Sequence, residues 1–335
     1  MRLPFARSQS QPTAGPDLAP VLPAPTSSAE RWLSGAVLTL ILFALAIRVP
    51  LVVNAPLFQD ETEHFHAAWA IAHGQVPYRD FFQNHTPLLY YLTAPLFTLM
   101  GEDLRIIYVA RGLMLLCLLL ILLECYRIAR TCFDALTGLL AVLLLSYFLL
   151  WWRTAYDFRP DIPQTLLVLV SLRRFMQAWE LRSPGDFLAA GALLGVAFWL
   201  LIKTLFPLTG LTLVFGLSLG LRRSAAALRE TLTGLLFFLT GFAVLVVLGG
   251  VLLWLAGAWP GFFQWTIVSS FHWPVRFSPL GLRDQRAHFV SWTLAIVGVT
   301  LTVTRMVRAR IVDEVQLSPL LAALEIGRAS CRERV

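Results

Sequence analysis

The residues able to do chemistry gather in one short stretch, FQDETEHFHAAWAIAHGQVPYRDFFQNHTPLLYYL, from Phe58 to Leu92. Asp60 and Glu61 open it; His64, His66, His73 and His85 follow, with Tyr78 and Asp80 between them. A second acidic point, YDFRPDIPQ, carries Asp157 and Asp161 beside Arg159. A carboxylate can take the proton of an attacking hydroxyl, a role worth about 10²–10⁴ in rate. Cations stabilise charge that builds on a departing phosphate. Lys203 is the single lysine; every other basic residue is arginine. A compact ammonium at the end of GALLGVAFWLLIK reads as a phosphate contact at lipid headgroup level, shared with an arginine such as Arg111.

Plainer readings compete at each point. Asp60 and Glu61 would also suit the first turn of a surface helix, where the helix dipole favours negative charge. Phe65, Ala68, Trp69 and Ala72 recur at helical spacing, which predicts an amphipathic helix lying on the membrane surface. Asp60 and His64 are four apart and share a face. That leaves room for a divalent metal held by carboxylate and imidazole, with no HExxH-like pattern to specify one. His66 and His73 read as structural. Cys117, Cys125, Cys132 and Cys331 show no zinc or disulfide spacing and read as small hydrophobes. No organic cofactor is called for.

The elements that must carry these residues are apolar helices. The chain of 335 residues is 57% hydrophobic and 14% charged, with a mean hydropathy of +0.70. This composition excludes an ordinary soluble domain and predicts an all-α, polytopic membrane protein. The net charge of +7 then belongs to arginines in loops and implies no nucleic-acid partner. About eight spans are expected, near 34–53, 106–126, 135–152, 158–172, 187–202, 205–221, 231–256 and 287–304.

A Pro/Ser/Ala-rich tail at 1–32 is expected to be disordered and cytoplasmic. A transmembrane domain over 33–310 follows. With the tail inside, Arg127/Arg130, Arg173/Arg174/Arg182, Arg222/Arg223/Arg229 and Arg305/Arg308/Arg310 all fall on the cytoplasmic side, as the positive-inside rule requires. That alternation holds only if Pro87–Gly101 is an interfacial or re-entrant helix, so residues 54–105 form one large outer loop. The acids and all six histidines, His272 and His288 included, then lie on the outer face. Residues 311–324 read as the start of a further segment. Residues 325–335 (EIGRASCRERV) resemble translated sequencing adapter, and the natural chain is expected to continue beyond Leu324.

The pattern Asp60-Glu61, His64, AAWAIAHGQVPYRDFFQNHTPLLYYL, then VARGLMLL, FRPDIPQTLL and GALLGVAFWLLIKT resembles the dolichyl-phosphate-mannose-protein mannosyltransferase-like group of GT-C glycosyltransferases over roughly residues 40–220. The resemblance implies a GT-C-like fold and a hexosyl- or pentosyltransferase of the bacterial inner membrane, with its active site on the outer face. It implies transfer, with inversion, from a polyprenyl-phosphate-linked sugar to a hydroxyl-type acceptor on a glycan, lipid or protein. It makes Asp60 the catalytic base with Glu61 its neighbour, Asp161 the acid of the second loop with Asp157 nearby, and Lys203 the lysine at the corresponding helix end. Arg111 and Arg159 join Lys203 as donor-phosphate contacts, and His64, Tyr78, Asp80 and His85 line the substrate loop. His85-Thr86-Pro87 departs from the family's His-Pro-Pro-like motif by its threonine. The competing class is a membrane transporter or lipid flippase, which would place charges at the bilayer midplane and not at its rim.

Overall fold

In a membrane a backbone satisfies its own hydrogen bonds only in helices or closed barrels, and helices are what the described residues build. A computed structural model describes residues 28–47, 49–147, 156–221 and 224–269, and no strand occurs among the described residues. In order they are α1 (Ser28–Ala46), α2 (Val49–Asn54), α3 (Gln59–Ala72), α4 (Leu88–Met100), α5 (Arg105–Cys132) and α6 (Ala135–Tyr147). Then come α7 (Asp161–Leu181), α8 (Pro184–Leu200), a 3₁₀ turn (Ile202–Thr204), α9 (Leu205–Leu221), α10 (Ala225–Leu255) and α11 (Trp259–Phe262), the last running into a π-helical turn (Phe263–Val268). The expected span at 287–304, His272, His288, Cys331, Arg222/Arg223, the arginines at 305–310 and segments 311–324 and 325–335 lie outside the described residues. So does residues 1–27 of the expected tail; its last five residues instead open α1.

Four stretches are long and apolar enough to cross a membrane: Ser28–Ala46, Arg105–Cys132, Ile202–Gly220 and Ala225–Leu255. The expected span at 187–202 corresponds to a shorter helix, α8 with 17 residues; that at 135–152 corresponds to α6 over Ala135–Tyr147, its residues 148–152 lying outside the described residues. That at 158–172 corresponds to α7, which carries Asp161, Arg173, Arg174 and Glu180. The Pro87–Gly101 stretch folds as α4, 13 residues with Pro95 inside and Gly101 at φ 69° closing its end. At about 20 Å it falls short of a hydrocarbon core of about 30 Å.

Local signals set the helix ends. The Ser183 hydroxyl accepts from the Asp186 N–H, with Pro184 in the first turn of α8. Ser224 caps α10 through the Ala227 N–H in the same way. Packing then orders the bundle: α8 lies between α7 and α10, α5 between α6 and α7, and α1 against α6. Small residues allow α8 and α10 to touch backbone to backbone. A Cβ on Gly191 would come within 1.9 Å of the Phe238 carbonyl oxygen, and one on Gly241 within 2.1 Å of that of Leu188. In a bilayer such close approach supplies the attraction that water expulsion supplies elsewhere. The outer face of α10 presents Leu236, Val244, Val247, Leu252 and Leu255, a surface suited to lipid.

Three apolar clusters are the largest among the described residues. Phe175, Trp179, Phe187, Phe215 and Phe238 pack together at the end where α7 finishes. Tyr78, Trp199, Leu253 and Phe262 tie the loop after α3 to α8, α10 and α11. Ala68, Tyr90, Ala110, Met114, Phe158 and Ile162 join α3 and α4 to the start of α5 and α7. This third cluster is the floor on which the titratable residues stand.

Candidate active site

Helix α3 begins one residue before the acidic pair, so Asp60 and Glu61 occupy its first turn and point in different directions. Glu61 turns inward. It is fully buried and receives a two-pronged ion pair from Arg111 of α5, Nε to Oε1 at 2.8 Å and Nη2 to Oε2 at 2.6 Å. Arg111 Nη1 also donates to the carbonyls of Val52 (3.1 Å) and Ala55 (2.9 Å), and Nη2 to that of Pro56 (3.2 Å). The Phe158 N–H donates to Glu61 Oε1 at 3.1 Å, and the Tyr156 ring lies 5.9 Å from the guanidinium.

This geometry corrects two expectations. Arg111 has all five N–H donors committed and is 1% exposed, so it has none to offer a donor phosphate. Glu61 is sealed from any substrate. Together they lock the start of α3 to α2, α5 and the loop before α7.

Asp60 faces the other way, with its side chain 42% exposed. It pairs with Arg159 Nη2 at 2.7 Å. Arg159 Nε stands 3.9 Å from Asp161 Oδ2, and Lys203 Nζ is 3.1 Å from Asp161 Oδ1. The four residues form a ladder of alternating charge, Asp60–Arg159–Asp161–Lys203, drawn from three separate parts of the chain. Asp161 is held at the first residue of α7 behind Pro160. Lys203 sits in the 3₁₀ turn between α8 and α9, pinned to α7 by Gln164 Nε2 donating to Thr204 Oγ1 at 3.1 Å. Lys203 keeps 61% of its side chain exposed and Asp161 38%, so the ladder is open to a ligand.

Asp157 is 5% exposed. Burial, then the neighbouring Glu61 carboxylate, raises its carboxyl above the ordinary range, a group placed beneath the ladder and not on it. Tyr78 and Asp80 also differ from the expected substrate contacts. Tyr78 is 3% exposed, at φ 69°, and its hydroxyl donates to the His85 carbonyl. Asp80 accepts from Arg79 and from the Val76 N–H (2.7 Å), contacts that hold its carboxyl at about 2. Arg79 in turn donates to the Ala256 carbonyl at 3.2 Å. Both residues brace the loop that presents His85.

The histidines divide. His66 is exposed and stacks on Trp69 at 5.9 Å; His73 Nδ1 contacts the Trp69 carbonyl oxygen at 2.8 Å. His64 is buried, its Nδ1 3.0 Å from the Tyr90 hydroxyl, and its ring lies 5.1 Å from that of His85. The buried side of α3 is therefore not the apolar stripe that the spacing predicts, but a face of Glu61, His64, Ala67, Ala68 and Ala70. Glu63 joins His64 and His85 in a cluster, whereas Asp60, the partner expected for His64, is taken by Arg159. Glu63 and Tyr90 were invisible to spacing alone: one looks like a solvated helix acid, the other like interfacial aromatic packing.

A cavity of about 340 Å³ lies elsewhere, lined by Trp179, Arg182, Phe187, Phe215, Arg229 and Glu230. Its position near the end of α7 puts it about 30 Å from Asp161 along that helix.

The family model for dolichyl-phosphate-mannose-protein mannosyltransferase matches residues 84–254, half of the chain. The match covers His85, Arg111, Asp157, Arg159, Asp161 and Lys203 and begins after Asp60. No curated protein and no solved structure gives a significant match.

Proposed function

The chain belongs to the dolichyl-phosphate-mannose-protein mannosyltransferase family, a family of membrane glycosyltransferases, and from that premise we propose that it moves a sugar from a polyprenyl-phosphate donor to a hydroxyl-type acceptor. The observation that carries this reading is the open ladder Asp60–Arg159–Asp161–Lys203. It sets an accessible carboxylate beside accessible cations at one end of a lipid-facing bundle.

In the proposed reaction the acceptor hydroxyl attacks the anomeric carbon while Asp60 takes its proton. The bond from that carbon to the phosphate oxygen breaks, and the electron pair leaves with the phosphate. Lys203 and Arg159 stabilise the charge gathering there. Phosphate is already a good leaving group, so a single carboxylate base suffices. Attack opposite the leaving group inverts the anomeric centre.

Asp161 holds Lys203 and Arg159 in place. The arginines at the other end of the bundle (Arg127, Arg130, Arg173, Arg174, Arg182 and Arg229) support an outer-face site in a bacterial inner membrane by the positive-inside rule. A total of about eight spans includes the one expected at 287–304.

The test is Asp60→Asn assayed with labelled polyprenyl-phosphate sugars. Transfer is expected to disappear while membrane insertion and thermal unfolding stay as in the parent protein. Turnover retained by Asp60→Asn would end the assignment of the base.

A further inference from the structure

We propose that Glu63, His64 and His85 form a binding site for a divalent transition-metal ion, zinc being the ion that suits them, with a coordination position left for a phosphate oxygen. One ligand atom from each residue lies within 4.8 Å of the others. His85 Nδ1 is buried without a hydrogen bond, and its nearest carboxylate oxygen, Glu63 Oε1, is 3.6 Å away. That distance is too long for a hydrogen bond. It is close to the ~3.4 Å that separates two ligands each ~2.1 Å from a tetrahedral ion. An ordinary Glu–His pair would close the gap; this one is held apart.

The holding is done by the surroundings. The Gln83 side-chain oxygen accepts the N–H groups of Asn84 (2.8 Å) and His85 (3.0 Å), and the Tyr78 hydroxyl donates to the His85 carbonyl, so the loop is fixed on both sides of the imidazole. His64 is fixed by Tyr90, whose hydroxyl engages Nδ1 at 3.0 Å and leaves Nε2 for a ligand. Such an outer contact sets ring orientation and tautomer at metal sites. A neutral imidazole and an ionised carboxylate are the forms that bind metal.

Two imidazoles and one carboxylate are the donor set of open zinc sites, in which a fourth position takes water or substrate. Imidazole favours zinc-like ions over magnesium or calcium. Glu63 and His64 lie three and four residues beyond Asp60 on α3, so the ion would adjoin the charge ladder. Arg159 and Asp161 both act electrostatically on His64. The assignment of the open position to a phosphate oxygen rests on the proposed transferase function; the ion site itself does not.

The experiment uses the full chain in detergent, stripped with chelator and titrated with Zn²⁺ by calorimetry, with Co²⁺ as the spectroscopic probe. One ion per chain is expected, with affinity weakened 100-fold or more in both His85→Ala and Glu63→Gln and unchanged in His66→Ala. Thermal unfolding of the metal-free variants checks that each is folded. No ion bound by the parent protein, or equal affinity in the folded variants, would overturn the site. A short-chain polyprenyl monophosphate is expected to shift the Co²⁺ visible bands; an unshifted spectrum would overturn the open position. Ion binding in a protein that transfers sugar from no donor would remove the transferase reading and leave the metal site standing. An active enzyme that binds no ion would do the reverse.

Discussion

Replacing Glu61 by Gln removes one charge from a pair that is 2% and 0% exposed. The perturbation leaves Arg111 charged, buried and facing an amide that can accept on one side only. Two hydrogen bonds between opposite charges are reduced to one from the guanidinium to a neutral amide oxygen, and each bond to a charged group contributes about 1.5–3 kcal/mol. Removing one partner of a buried pair costs about 3–5 kcal/mol, which agrees with that count. With an unfolding entropy of about 2.1 cal/mol/K per residue over 335 residues, each kcal/mol is worth about 1.4 °C, and the apparent midpoint should fall by about 4–7 °C. Unfolding of a detergent-solubilised membrane protein is commonly irreversible, so the comparison is made at one scan rate, with tryptophan fluorescence as the signal. Arg111→Leu should cost as much, and the double variant clearly less than the sum, because the second change removes the stranded charge. A shift under 2 °C for Glu61→Gln, or strictly additive losses, would refute the account of Glu61 as a structural anchor and return it to the candidate catalytic residues.

Other outcomes follow from the same structure. Lys203→Ala should lower kcat/KM for the donor about 10- to 100-fold, the worth of one charge-assisted contact, with little change in unfolding temperature; Lys203→Arg should restore it only in part, and full restoration would show that any cation serves. Asp157→Asn should raise the unfolding midpoint at pH 7. The folded carboxyl titrates above its unfolded value of 3.8, so stability is lost as pH rises through that window. It lies near Glu61, Asp60, Arg111 and Arg159, none of which changes in the variant, so its advantage should vanish toward pH 4. Gly241→Val should destabilise the α8–α10 contact by at least about 1–3 kcal/mol, because its Cβ would meet the Leu188 backbone; an unchanged midpoint would mean the helices do not pack this closely.

Much of this protein was legible in its sequence. Mean hydropathy and run length sufficed for helices in a membrane, since no other backbone arrangement satisfies its own hydrogen bonds there except a closed barrel. The positive-inside alternation and the short length of Pro87–Gly101 marked a helix too short to span, and a 13-residue α4 is the length that forms. The family, too, could be read from linear motifs, because its residues keep their order along the chain.

What each charged residue does could not be read in that way. Asp60 and Glu61 are neighbours of like charge in one helical turn, and nothing local distinguishes them. Their roles separate only because successive helix residues point about 100° apart and Arg111, fifty positions later, lies on one side. The same holds for Arg111 and Arg159, both arginines near a helix start: one is enclosed by α2, α3 and α5 and spends every donor there, the other stays at the rim between Asp60 and Asp161. The grouping of Glu63 with His85 depends on a loop braced by Gln83 and Tyr78, contacts that no periodicity encodes. Residue type and spacing determined which chemistry this chain can attempt; tertiary packing, by burying some charges and leaving others open, decided which residues are free to perform it.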